Sequence, residues 1–119
     1  MSRNRLFSRP GASLPTSAFY ILVSLSVQDR HGYDILKDVE LSSAGRVRLG
    51  PGVLYTTLKR MLESDLIIEV EPRADADRED ARRRYYRLTR EGRTVLAGEL
   101  LRMEQALKLA RTRRLRSAQ

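Results

Sequence analysis

The spacing of apolar residues changes twice along this chain, and few arrangements accommodate both changes. From residue 18 to residue 62 apolar side chains recur every three to four positions, as on the buried stripe of a helix. Two short runs of strand character follow between residues 66 and 88, and helical spacing returns from residue 96. Gly and Pro stand at the joints, so the order reads helix, helix, helix, strand, loop, strand, helix. The chain is therefore expected to be mainly α with a small β insertion.

A first helix is expected over Pro15–Val27, with Pro at an early position where its missing N–H costs nothing. Ala18, Ile21, Leu22 and Leu25 share one face, while Phe19, Tyr20, Val23 and Val27 add apolar groups around the rest. A helix apolar on most sides is buried on most sides. A chain of 119 residues offers only a modest core, so the cover over Phe19, Tyr20 and Val23 is expected from another subunit. Asp29-Arg30-His31-Gly32 reads as a turn. A second helix follows from about Tyr33 to Ser42, with Ile35, Leu36 and Val39 inward and Gly45 placed to end it.

Gly50-Pro51-Gly52 opens a third helix, with Gly50 as N-cap and Pro51 at the first helical position. Leu54, Leu58, Met61 and Leu62 fall on one face, which leaves Thr56, Lys59, Arg60 and Glu63 outside and Tyr55 on the flank. Strands are expected over Leu66–Glu71 and Arg83–Leu88, joined by a solvated Pro72–Arg82 loop too long for a tight hairpin turn. Thr89 suits the N-cap of a last helix running to about Arg113. Leu96, Leu100, Met103, Leu107 and Ala110 repeat with 4-3-4-3 spacing, a narrow seam of the kind one helix offers another. Two heptads fall short of an autonomous coiled coil, and a helix packing in a dimer interface fits better.

This element order is that of a winged helix-turn-helix with an added C-terminal dimerisation helix. It divides the chain into a flexible basic arm (1–13), a DNA-binding domain (14–88), the dimerisation helix (89–113) and a basic tail (114–119). Charge supports the division. The net charge is +8, but it is concentrated at residues 1–14, 46–66, 81–93 and 111–119, with acidic or neutral stretches between. Such clustering suits a specific polyanion binder better than a uniformly sticky surface.

Other classes are excluded on chemistry. The chain has no cysteine, so disulfides and thiolate metal sites are impossible and a reducing cytoplasm is compatible. Arg3, Arg5 and Arg9 precede an apolar run, Ala18–Val27, that is too short to span a bilayer and has no small-x-small site after it. A cytoplasmic location without membrane contact is expected. No nucleophile–base pair or phosphate-cradling loop is present, so neither catalysis nor a cofactor is expected. His31 is the lone histidine and reads as a turn residue bonding local backbone. The acidic stretch Asp75, Asp77, Glu79 and Asp80 lacks the glycine and terminal glutamate of a calcium loop, and is expected to point away from DNA.

Three segments carry a resemblance: His31-Gly32-Tyr33-Asp34-Ile35, Gly50-Pro51-Gly52-Val53-Leu54-Tyr55, and Arg84-Tyr85-Tyr86-Arg87-Leu88-Thr89-Arg90-Glu91-Gly92. In this order and separation they resemble the signatures of PadR-type transcriptional repressors, over about residues 14–110, in the compact subgroup with a single helix after the wing. The resemblance implies a homodimer that binds a palindromic DNA duplex, and it leaves open a small-molecule inducer of unknown identity. Gly50 stands where the family usually has Ser or Thr, Val53 replaces a Thr and Thr56 a Pro, so no operator sequence carries over.

The expected DNA contacts follow from these elements. Gly50 and Gly52 let backbone approach a phosphate, and Thr56 and Lys59 face base edges, with Lys59 or Arg60 alternatively on phosphate. Tyr55 bonds phosphate or packs beside Leu58; Tyr33 likewise bonds phosphate or joins the core. Arg83 and Arg84 stand at the wing base, on opposite faces if the strand begins there. The rival reading is a winged-helix module for protein or RNA contacts that reads no operator.

Overall fold

The computed structural model describes residues 14–72 and 83–117. Helix α1 is Thr16–Val27, β1 Arg30–His31, α2 Gly32–Ser42, α3 Pro51–Glu63, β2 Ile67–Val70, β3 Tyr85–Leu88 and α4 Arg90–Ser117. Mainly helical, with a small antiparallel sheet, it is the winged-helix architecture with a C-terminal helix that the spacing predicts. The 1–13 arm and the 73–82 stretch of the wing loop, with its acidic side chains, lie outside the described residues.

The core forms where the helical stripes meet. Ile21, Leu22 and Leu25 of α1, Ile35 and Val39 of α2, and Leu54, Leu58 and Met61 of α3 are buried together, each large side chain contributing roughly 1.5–3 kcal/mol. Phe19, Tyr20 and Val23 are only partly covered and pack against the edge of this cluster. Pro15 is the N-cap of α1 (φ −56°, ψ 147°) rather than a helical residue. Gly50 and Pro51 occupy the N-cap and first helical positions of α3 as expected.

Both α2 and α3 end with the same device. Gly45 N–H bonds Glu40 C=O at 2.8 Å and Ala44 N–H bonds Leu41 C=O at 3.1 Å, so the left-handed residue ending α2 is Ala44 (φ 55°), with Gly45 following it. At the end of α3, Leu66 N–H bonds Met61 C=O and Asp65 (φ 61°) takes the left-handed position. Burial of Leu66 beside Met61 holds that turn in place.

The segment expected as a turn at Asp29–Gly32 contains a strand. Arg30 pairs with Tyr86 and His31 with Tyr85, placing β3 in the middle of a β1-β3-β2 sheet. Arg30 secures this edge from beneath: its Nε donates to Ser24 C=O at 3.0 Å, and its guanidinium faces Asp34 at 3.3 Å and Asp38 at 3.7 Å. One side chain thus ties α1, β1 and α2. On the outer side, Arg87 grips Asp29 with two bonds of 3.1 and 2.8 Å. The second and third strands are shorter than expected, and Arg83 and Arg84 precede the ladder instead of alternating within it.

Helix α4 starts from a cap the sequence signals. Thr89 Oγ1 accepts from Gly92 N–H at 2.9 Å and donates to Asp65 C=O at 2.7 Å, while Thr89 N–H bonds Leu66 C=O at 3.0 Å. Gly92 is buried where a Cβ would collide with the Leu66 carbonyl oxygen, so the helix approaches the end of α3 closely. The helix runs to Ser117, four residues past the expected boundary at Arg113. Leu96, expected in the intersubunit seam, is 6% exposed in the core of its own chain. Leu100, Met103 and Leu107 are 40–50% exposed and Ala110 is exposed, so the uncovered seam begins one step later.

Candidate nucleic-acid interface

Three elements converge on one surface. The start of α2 supplies His31, Gly32 and Tyr33, α3 supplies Tyr55, and the base of the wing supplies Arg83, Arg84 and Tyr86; together they line a cavity of about 450 Å³. This cavity lies outside the apolar core and is walled by rings and guanidinium groups. The local reasons differ for each wall.

Tyr55 lies over Gly32, and a Cβ at residue 32 would collide with the Tyr55 hydroxyl and come within 2.9 Å of Cζ. The glycine is therefore required by the tyrosine lying on it, since its φ is not left-handed. Tyr55 remains 52% exposed; it covers the start of α2 and lines the cavity. Tyr33 is 57% exposed, which overturns the core-packing alternative. Lys37 Nζ sits 5.4 Å and Arg83 Cζ 5.9 Å from the centroid of its ring, both within cation–π range.

His31 does more than the local bond expected of it. Its Nδ1 accepts from Asp34 N–H at 3.2 Å and so caps α2. Its Nε2 stands 2.9 Å from the Arg83 guanidinium, and its ring meets Tyr85 edge-on at 5.3 Å. A neutral imidazole offers one acceptor nitrogen, so the α2 cap and Arg83 compete for it. Tyr86 is buried under the cavity, and its hydroxyl pKa is pushed above the ordinary 10 chiefly by that burial. Glu69 and Tyr55 push the same way, against Arg84. Arg84 is itself open to solvent, with Glu69 at 3.6 Å.

On α3 the expected division of faces holds. Leu54, Leu58 and Met61 are buried; Thr56, Lys59 and Arg60 are exposed. Nothing lies within 4 Å of a Cβ built at Gly50 or Gly52, and neither has a positive φ. No intramolecular contact or backbone angle therefore demands glycine at either position. Arg46 and Arg48 are exposed in the link just ahead of this helix. The link itself is folded by Ser43, whose Oγ accepts from Val47 N–H at 2.9 Å.

The structure thus gathers Tyr33, Tyr55, Arg83 and Arg84 around one cavity and places Thr56, Lys59 and Arg60 on the exposed face of α3. The sequence reading missed Lys37 and the intermediate role of His31. A lysine one turn after Tyr33 was the available signal.

Comparison with known proteins agrees in fold and in sequence. Residues 21–98 match the family model described as the transcriptional regulator PadR-like family. A PadR family transcription regulator from Clostridium difficile superposes with a TM-score of 0.69 at 26% identity, covering 82% of this chain and 97% of that one. A transcriptional regulator from Clostridium thermocellum superposes with a TM-score of 0.63 at 22% identity, covering 82% and 90%. No curated protein matches the chain in sequence.

Proposed function

The chain belongs to the transcriptional regulator PadR-like family, and on that premise we propose that it is a repressor that binds a two-fold symmetric DNA operator as a homodimer. The observation that carries this reading is the cavity where Tyr55 of α3, the start of α2 and the arginines of the wing base meet, with Thr56, Lys59 and Arg60 exposed on the same helix as Tyr55. A helix whose outer face bears Thr56 and Lys59 within three turns of its N-terminus fits a major groove. Lys59 donates to guanine O6 or N7, and the Thr56 methyl meets a thymine methyl. Arg83 and Arg84 neutralise backbone phosphates, the contacts that give affinity without sequence preference. The bare glycines at 50 and 52 leave the first turn of α3 open to a phosphate.

Dimerisation is supported by the exposed Leu100, Met103 and Leu107 on α4 and by the half-covered Phe19, Tyr20 and Val23 on α1. Two copies related by a two-fold axis would present two α3 helices about one DNA turn apart. A small-molecule inducer would act on such an assembly, and its identity is left open.

The deciding experiment is selection from random duplexes with wild-type and Lys59→Ala protein. The wild type should yield a two-fold symmetric consensus with half-sites about 10 base pairs apart or a multiple of that. Lys59→Ala should cost about 1–3 kcal/mol on that operator and relax one symmetric pair of positions. A consensus without symmetry would remove the docking geometry. Binding to RNA or protein in place of any duplex would establish the rival module.

A further inference from the structure

Tyr33 stands apart from the other rings on this surface because its ring meets two cations from different elements. Lys37 belongs to α2 and Arg83 to the base of the wing, more than forty residues on, yet both lie within 6 Å of the same centroid. The electron-rich face of the ring attracts each cation. Lys37 has no carboxylate partner among the described residues. Its side chain is exposed.

We infer that Tyr33 is a positioning residue that binds DNA through its ring, by drawing Lys37 and Arg83 together to seat the backbone phosphates of one strand. This deepens the reading above and rests on it. It assigns Lys37 to the DNA surface and gives Tyr33 a role its hydroxyl does not perform. The occupant is a phosphodiester backbone because the surface offers two cations against one ring, with the cavity that Arg83 and Arg84 line beside Tyr33. A stripe of positive charge between two elements tracks a polyanion better than a single acidic side chain. A second hollow beside Tyr33 and Lys37 is lined by Leu36, Glu40, Leu41 and Leu49.

The test separates ring from hydroxyl. Tyr33→Phe and Tyr33→Leu are compared with wild type on the selected operator and on random duplex, as log Kd against log salt. Tyr33→Phe should bind within about twofold of wild type. Tyr33→Leu should lose about tenfold or more, and its salt slope should fall by between one and two units, since each phosphate contact contributes about 0.9. Lys37→Gln should lower the slope by about one unit, and adding it to Tyr33→Leu should cost less than the two separate losses combined. Tyr33 is exposed and Leu is a good helix former, so the fold should survive. Should Tyr33→Leu nevertheless misfold, Lys37→Gln and its combination with Tyr33→Phe decide the matter. An equal loss in Tyr33→Phe and Tyr33→Leu would overturn the inference in favour of a hydroxyl contact. An unchanged slope in Lys37→Gln would overturn it outright. A wild type without salt-dependent duplex binding would instead remove the DNA reading itself, and that failure is visible before any variant is made.

Discussion

The same substitution at two glycines of α4 should move stability in opposite directions. Gly98 lies inside the helix, and a Cβ there would meet only the mobile end of Arg102 at 3.8 Å. Gly98→Ala should therefore stabilise by about 1 kcal/mol, the helix-propensity difference. Gly92→Ala would thrust a Cβ into the Leu66 carbonyl oxygen and within 2.6 Å of Leu88 Cδ1. A backbone carbonyl cannot swing away as a side chain can, and this one accepts from Thr89 N–H. Overpacking costs about 1–3 kcal/mol, and disturbing the Thr89 cap adds about 0.5–2 kcal/mol. After subtracting the propensity gain, the net loss should be about 2 kcal/mol. Urea unfolding followed by circular dichroism, at one fixed protein concentration because association shifts stability, reads both. With a slope of about 1–3 kcal/mol per molar urea, the midpoints should separate on either side of wild type by roughly 1 M. A Gly92→Ala protein as stable as Gly98→Ala would show that α4 does not press on the end of α3, and the close-approach account would be wrong.

Three further outcomes follow from other features. Ala44→Gly should stabilise by about 1 kcal/mol, because Ala44 holds a left-handed conformation costly for a residue with a Cβ; thermal unfolding checks it. Tyr86 has a folded-state pKa above its unfolded value, so the stability linked to it is intact below pH 10 and lost as pH rises through the folded value. The melting temperature of Tyr86→Phe should accordingly fall less than that of wild type between pH 9 and about 11. On the proposed dimer, Leu100→Glu, which places a charge at the start of the exposed α4 seam, should dissociate or unfold the protein, read by sedimentation and circular dichroism; a dimer unchanged by it would show that the partner helix lies elsewhere.

What the sequence disclosed and what it withheld divide along physical lines. The inner faces of α1, α2 and α3 were legible because burial imposes a period that a single sequence displays. Pro51 and Thr89 were legible because caps are local chemistry. The strand at Arg30–His31 was not, since two residues carry no period and its reason is a partner more than fifty positions away. Leu96 was misplaced for a related cause: a heptad seam looks alike whether it faces its own core or another subunit. The meeting of Lys37 and Arg83 on Tyr33 depends on that hidden strand, which brings the wing base to the start of α2. The two arginines were assigned to opposite faces by a strand rule that does not apply before the ladder begins.

The central position of β3 has a mechanical consequence. It is bonded on one side to the strand that runs directly into α2 and on the other to the strand that leaves α3. Strand β3 therefore couples both helices of the turn through one sheet, and under the DNA reading proposed above the offset between α3 and the wing would behave as a fixed ruler. Little disorder remains to be lost on contact within that coupled unit. An operator altered by one inserted base pair between the parts read by each would find no hinge to absorb the change. By the same reasoning, if the chain acts as the dimer proposed above, a releasing signal would work at the joint between subunits.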